Sequence, residues 1–142
     1  MVHTVMRQPD HLDTHCRVLI VEDDCSIASL IADVLEDEIG VATVTLHNGA
    51  EAIRFLAQQQ VSLVVLDYQL PGANGIQVCD AMRRLVSAQE TPVLFVTANA
   101  EQAGFRTRGL PYIRKPFDLT EFLDTVKHCL RQPQTATTSL VS

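Results

Sequence analysis

Basic residues are scarce beside acidic ones: Lys and Arg number 11 against 17 Asp and Glu, for a net charge of −6. That balance argues against nucleic acid as the main ligand, because a phosphate backbone calls for a basic footprint. It suits a chain that holds cations or meets basic surfaces. No apolar run nears the ~20 residues a membrane-crossing helix needs. Met1–His15 has no apolar stretch of signal-peptide length. The expected location is therefore the cytoplasm, with no membrane insertion. Cys16, Cys25, Cys79 and Cys129 include no Cys-x-x-Cys pair. They are expected as reduced thiols in a reducing compartment, and zinc would need clustered ligands that their spacing does not offer.

What is present is an ordinary globular composition: 142 residues, 46% apolar and 20% charged. That is enough for one domain with a real core. Residues 1–15 are polar and are expected as a flexible leader. His11 and His15, with Asp10 and Asp13, have no helical pattern around them and belong to that leader. Residues 132–142 are rich in Thr, Ser and Gln and are expected as a flexible tail. The domain proper is expected over 16–131.

Within it, apolar runs alternate with helical patterns. Arg17–Val21, Val61–Leu66 and Pro92–Val96 are apolar runs of the kind buried on both faces of a parallel sheet. Val41–Leu46 is a weaker strand and Leu110–Ile113 a short one. Ile27, Leu30, Ile31, Val34 and Leu35 follow helical spacing, with Asp24 as N-cap in preference to a metal ligand. Asn48 with Glu51 opens a second helix. Asn74 opens a third, with Ile76, Cys79, Met82 and Val86 on one side. Asp118 with Glu121 opens the last, whose stripe is Leu119, Phe122, Leu123, Val126 and Leu130. This βα alternation predicts an α/β doubly wound sheet with right-handed crossovers and helices on both faces.

Ligands of open parallel sheets bind outside the carboxyl ends of the strands. Here the first strand ends in Glu22-Asp23-Asp24, the third in Asp67 and the fourth in Thr97-Ala98. The fifth leads into Arg114-Lys115-Pro116. Clustered carboxylates stay ionised only beside a compensating cation. Oxygen donors suit Mg²⁺. A carboxylate is also a nucleophile toward phosphorus, and phosphoryl transfer needs charge neutralisation more than acid or base. His47 and His128 are expected as surface residues without a catalytic partner.

The pieces V-L-I-V-E-D-D, L-D-Y-Q-L-P-G-A-N-G, F-V-T-A and Y-I-R-K-P-F, in that order, resemble the receiver domain of two-component response regulators. The resemblance covers residue 17 to about 131. It implies a flavodoxin-like five-stranded sheet in order 2-1-3-4-5, with Asp67 as phosphoacceptor. It implies Mg²⁺, with Mn²⁺ as a substitute, held by Asp23, Glu22, Asp67 and the Gln69 backbone carbonyl. It gives phosphate contacts to Thr97, the Ala98 N–H and Lys115, a switch role to Tyr112, and a cis bond before Pro116. The implied partners are a sensor histidine kinase or histidine phosphotransfer protein, and a downstream protein reader.

The chain departs from the pattern between Thr97 and Lys115, where 17 residues intervene. That is a few fewer than usual, so a shortened or irregular fourth helix is expected. Arg106, Arg108 and Arg114 fit either a docking patch or solvated charges. No output domain is expected after residue 131, so a phosphoacceptor switch that is not a conventional enzyme is expected to act by protein–protein contact, as a relay intermediate, or as an excised receiver of a longer protein. One alternative is a receiver-like module that is never phosphorylated. Another is an aspartyl-nucleophile phosphohydrolase, which would want a second Asp where Gln69 stands.

Overall fold

The computed structural model describes residues 16–98 and 109–131. Strand β1 (Arg17–Val21) leads to helix α1 (Cys25–Glu38), β2 (Ala42–Leu46), α2 (Gly49–Gln58) and β3 (Leu63–Asp67). A two-residue pair, β4 (Gln69–Leu70) and β5 (Ala73–Asn74), follows, then α3 (Gly75–Met82), β6 (Val93–Thr97), β7 (Tyr112–Arg114) and α4 (Leu119–Arg131). The main sheet is parallel throughout, in order β2-β1-β3-β6-β7. Counting only its five strands, this is the expected 2-1-3-4-5. The expected fourth helix, leader and tail lie outside the described residues.

The core falls in two layers because side chains alternate across the strands. Val18, Ile20, Leu63, Val65, Leu94 and Val96 pack with α1 and α4 through Ile31, Leu35, Phe122 and Val126. Leu19, Val21, Val64, Leu66, Val93 and Phe95 pack with α2 and α3 through Ala52, Leu56, Val78 and Met82. Burial on both faces is why the central strands carry no polar alternation.

The caps form at the expected residues. Asp24 accepts from the N–H groups of Ser26 and Ile27. Asn48 accepts from Glu51 N–H, while the Glu51 carboxylate reaches back to His47 N–H. Asn74 and Gln77 form a complete capping box. Asp118 accepts from Glu121 N–H.

Three expectations need correction. The central strands begin and end later than predicted, β3 at Leu63–Asp67 and β6 at Val93–Thr97, so Asp67 and Thr97 are the last residues of their strands. Val86 leaves the α3 stripe and is 89% exposed. The helix stops at Met82, where Leu85 N–H bonds to Met82 O and the Arg83 guanidinium ties Ala88 O and Thr91 O. Leu119 is 41% exposed, and Cys129 takes its place in the α4 stripe with Phe122 and Val126.

Gly75 fixes how α3 meets the sheet. Its N–H donates to Tyr68 O at 2.6 Å. A Cβ there would stand 2.9 Å from Asp67 O and from Tyr68 Cα, and 3.0 Å from Phe95 Cε1. Two of those neighbours are backbone and cannot yield cheaply. Gly75→Ala should therefore lower stability by about 1–3 kcal/mol. Urea denaturation should show an earlier midpoint at an unchanged slope.

Candidate functional site

Strand register alone brings the site together. Val21 pairs with Leu66, so Glu22 stands level with Asp67. Asp67 pairs with Val96, which puts Thr97 one step beyond. Thr97 pairs with Arg114, and Lys115 N–H donates to Thr97 O at 2.8 Å. The carboxyl edge of the sheet thus carries acids, a hydroxyl and an ammonium side by side.

Lys115 is the hub. Its Nζ lies 3.0 Å from Glu22 Oε1 and 3.5 Å from Asp67 Oδ2. The loop that supplies it continues through a cis Lys115–Pro116 bond to Phe117, which stacks on Phe122 of α4. Glu22 is 2% exposed and Asp67 6%. Oxygens of Glu22, Asp23 and Asp67 all lie within 4.8 Å of one another. Among the described residues this is the one group of three or more acidic, His or Cys side chains placed to hold a metal ion.

The donor set fits a hard divalent cation, being oxygen throughout and short of positive charge. Burial, reinforced by the Glu22 charge, pushes the Asp67 carboxyl up to about 6 despite Lys115 and the Gln69 N–H. Burial opposes the charge on Lys115. The Glu22 hydrogen bond and the charges of Asp67 and Glu22 outweigh it, leaving the ammonium above its ordinary pKa.

The remaining predicted residues take the following places. Gln69 opens the β4–β5 pair, and its N–H donates to Asp67 Oδ1 at 3.1 Å. The turn Leu70-Pro71-Gly72-Ala73 closes that pair, with Gly72 at φ 83° as such a turn demands. Thr97 is fully buried at the end of β6. Ala98 is exposed beyond it. Tyr112 is half-buried in β7, opposite Phe95 and packed against the α2–α3 layer. Asp24 caps α1 and is not in the acidic group.

Two features escaped the sequence reading. An apolar cleft of about 430 Å³, lined by Ile27, Leu30, Pro116, Phe117 and Leu119, opens beside Lys115 and Ala98. Ile27, Leu30 and Leu119 had been read as parts of helical stripes, which hid the cleft. The second is His47, whose Nδ1 lies 3.0 Å from the Glu22 backbone oxygen. It follows β2, the neighbour of β1, so register would have placed it there.

A parallel sheet in this order, with acids and a lysine on its carboxyl edge, has the form of a receiver-type fold. Residues 18–127 match the family model for the response regulator receiver domain, and the chain belongs to that family. It is 36% identical over 124 residues to the uncharacterized transcriptional regulatory protein YkoG of Bacillus subtilis, a match covering 84% of this chain and 53% of that protein. The DNA-binding response regulator MtrA of Mycobacterium tuberculosis is 33% identical over 120 residues, covering 82% of this chain and 51% of MtrA. The chain spans about half the length of these curated relatives. Among solved structures, a putative response regulator from Chloroflexus aurantiacus superposes with a TM-score of 0.75 at 29% identity, over 82% of this chain and 98% of that one. The non-phosphorylated HemR receiver domain of Leptospira biflexa gives 0.72 at 28% identity, over 83% and 96%. No helix among the described residues is long and apolar enough to cross a membrane.

The raised Asp67 pKa has a definite stability sign. The carboxyl is raised from 3.8 to about 6, so the folded state holds its proton where the unfolded chain has released it. The associated stability is fully present below pH 3.8 and is lost as pH rises through about 6. In metal-free protein, Asp67→Asn should remove this loss and be more stable than the parent at pH 7 by about 1–3 kcal/mol. Urea denaturation at pH 4 and pH 7 checks it: the gap between the two proteins should shrink at the lower pH.

Proposed function

We propose that this domain, residues 16–131, is a phosphoacceptor switch of a two-component or phosphorelay system, with Asp67 as acceptor. The observation that carries the reading is the buried Asp67 carboxylate, 3.5 Å from Lys115 Nζ and grouped with Glu22 and Asp23. An Asp67 oxygen attacks the phosphorus of a phosphohistidine. The P–O bond forms as the P–N bond breaks, and the bond pair leaves with the imidazole nitrogen. Lys115 binds the incoming phosphoryl oxygens, and Thr97 and the Ala98 N–H supply hydrogen bonds. Glu22, Asp23, Asp67 and the Gln69 carbonyl would hold Mg²⁺, or Mn²⁺ in its place. The bound cation would neutralise charge on the acidic group and the phosphoryl oxygens.

The donor is a sensor histidine kinase or a histidine phosphotransfer protein. Exposed Leu30 and Leu119, which line the apolar cleft beside Lys115, offer a protein donor a surface. Phosphorylation biases two conformations, and a protein partner reads the difference. Tyr112 moves with Thr97 in that shift. The role is switching and not turnover of small phosphate esters, since Gln69 offers no acid two residues after Asp67. Four cysteines carried as thiols support a cytoplasmic setting.

Incubation with acetyl phosphate and Mg²⁺ should add one phosphoryl group by intact mass, and the adduct should vanish in Asp67→Asn. No adduct on metal-loaded parent protein would overturn the switch in favour of an unphosphorylated module. Repeated turnover of phosphate esters would overturn it in favour of a hydrolase. Separately, Asp23→Asn should weaken Mg²⁺ binding by more than about tenfold in a calorimetric titration. Unchanged affinity would remove Asp23 from the metal site.

A further inference from the structure

Glu22 is tethered along its whole length. Its backbone N–H donates to Leu46 O at 3.0 Å. One carboxylate oxygen accepts from Asp24 N–H at 3.2 Å and the other from Lys115 at 3.0 Å. Its backbone oxygen lies 3.0 Å from His47 Nδ1. A carbonyl only accepts, so Nδ1 must carry the hydrogen whatever the charge of the ring.

The carbonyl in question belongs to the peptide unit that joins Glu22 to Asp23. That unit is planar. Fixing its oxygen fixes the direction in which Asp23 leaves β1. Asp23 is the exposed member of the acidic group, without the packing that holds Glu22 and Asp67. Its placement therefore depends on its backbone.

His47 is itself built on a fixed base. Leu46, before it, pairs with Val21. Asn48, after it, caps α2. Its own N–H faces Glu51 Oε1 at 3.4 Å. The ring is on an exposed residue, so little apolar burial explains its position.

We propose that His47 is a positioning residue that orients the Glu22–Asp23 peptide and so presets Asp23 for a divalent cation. The proposal rests on the metal site of the switch reading. Partners that orient ligands in this way are worth about 10–100-fold in metal affinity.

The test is calorimetric titration of the intact chain with Mg²⁺, comparing parent, His47→Ala, His47→Asn and His47→Phe. Asn carries an N–H donor at nearly the reach of Nδ1, whereas Phe keeps a ring without one. His47→Ala and His47→Phe should bind Mg²⁺ about tenfold more weakly, and His47→Asn should stay within about threefold of the parent. In metal-free protein, the backbone amide resonance of Asp23 should move in the Ala and Phe variants and stay near its parent position in Asn. Parent-like affinity in His47→Phe, or an Asn variant no better than Phe, would overturn the proposal. Should His47→Ala fail to fold, the Phe and Asn pair decides alone. A parent that binds no Mg²⁺ would refute the metal reading. The Asp23 resonance would then still show whether His47 holds the peptide.

Discussion

The constraint on which the site depends is repulsion. Three carboxylates stand within reach of one cation position, and the Lys115 ammonium faces two of them, Glu22 and Asp67. Left to themselves these groups would move apart or take up protons. They stay because β1 and β3 are hydrogen-bonded neighbours deep in the sheet, and their ends cannot separate without breaking the ladder between Val21 and Leu66. The packed core thus holds an arrangement that local electrostatics opposes. The raised Asp67 pKa comes first from burial, and the repulsion of Glu22 adds to it.

Lys115 relieves the tension only in part, and unevenly. It lies closer to Glu22 than to Asp67, at 3.0 Å against 3.5 Å. Glu22 therefore anchors the ammonium, while Asp67 keeps an oxygen less firmly engaged. The proposed phosphoacceptor role would draw on that freedom, because a carboxylate fully committed to a salt bridge has less electron density to offer. In the proposed switch, Glu22 would hold Lys115 as well as ligate the cation, a division of labour that acidic spacing alone could not reveal.

Much of this was legible in the sequence, for identifiable reasons. Runs such as Val18–Val21 and Val93–Val96 are apolar at every position, and only strands buried on both faces afford that pattern. The strand-end acids follow such runs directly, so their address came with the strands, whereas Lys115 follows the short, mixed strand β7. Val86 was misplaced because helical periodicity takes no account of termination. The turn held by Arg83 depends on carbonyls five and eight residues away. Leu119 was misplaced because an apolar residue at a helix start fits a stripe and a surface cleft equally well. His47 was missed because its partner is a backbone oxygen just past the end of the adjacent strand, which no side-chain motif records.

That omission points to a more general property of parallel sheets. The residue after each strand is carried to the same edge by register, whatever its type. In this chain the residue after β1 is Glu22 and the residue after β2 is His47, and β2 borders β1 directly. Two residues 25 apart in sequence therefore meet with little search through conformations. The tether between them is weak in stability, since a typical net hydrogen bond is worth ~1 kcal/mol. Its leverage lies in geometry. A planar peptide turns a restraint on one oxygen into a direction for the next side chain, and Asp23 has no burial of its own to supply that direction. A small energy applied at the Glu22 carbonyl thus governs how well an exposed carboxylate meets two buried ones.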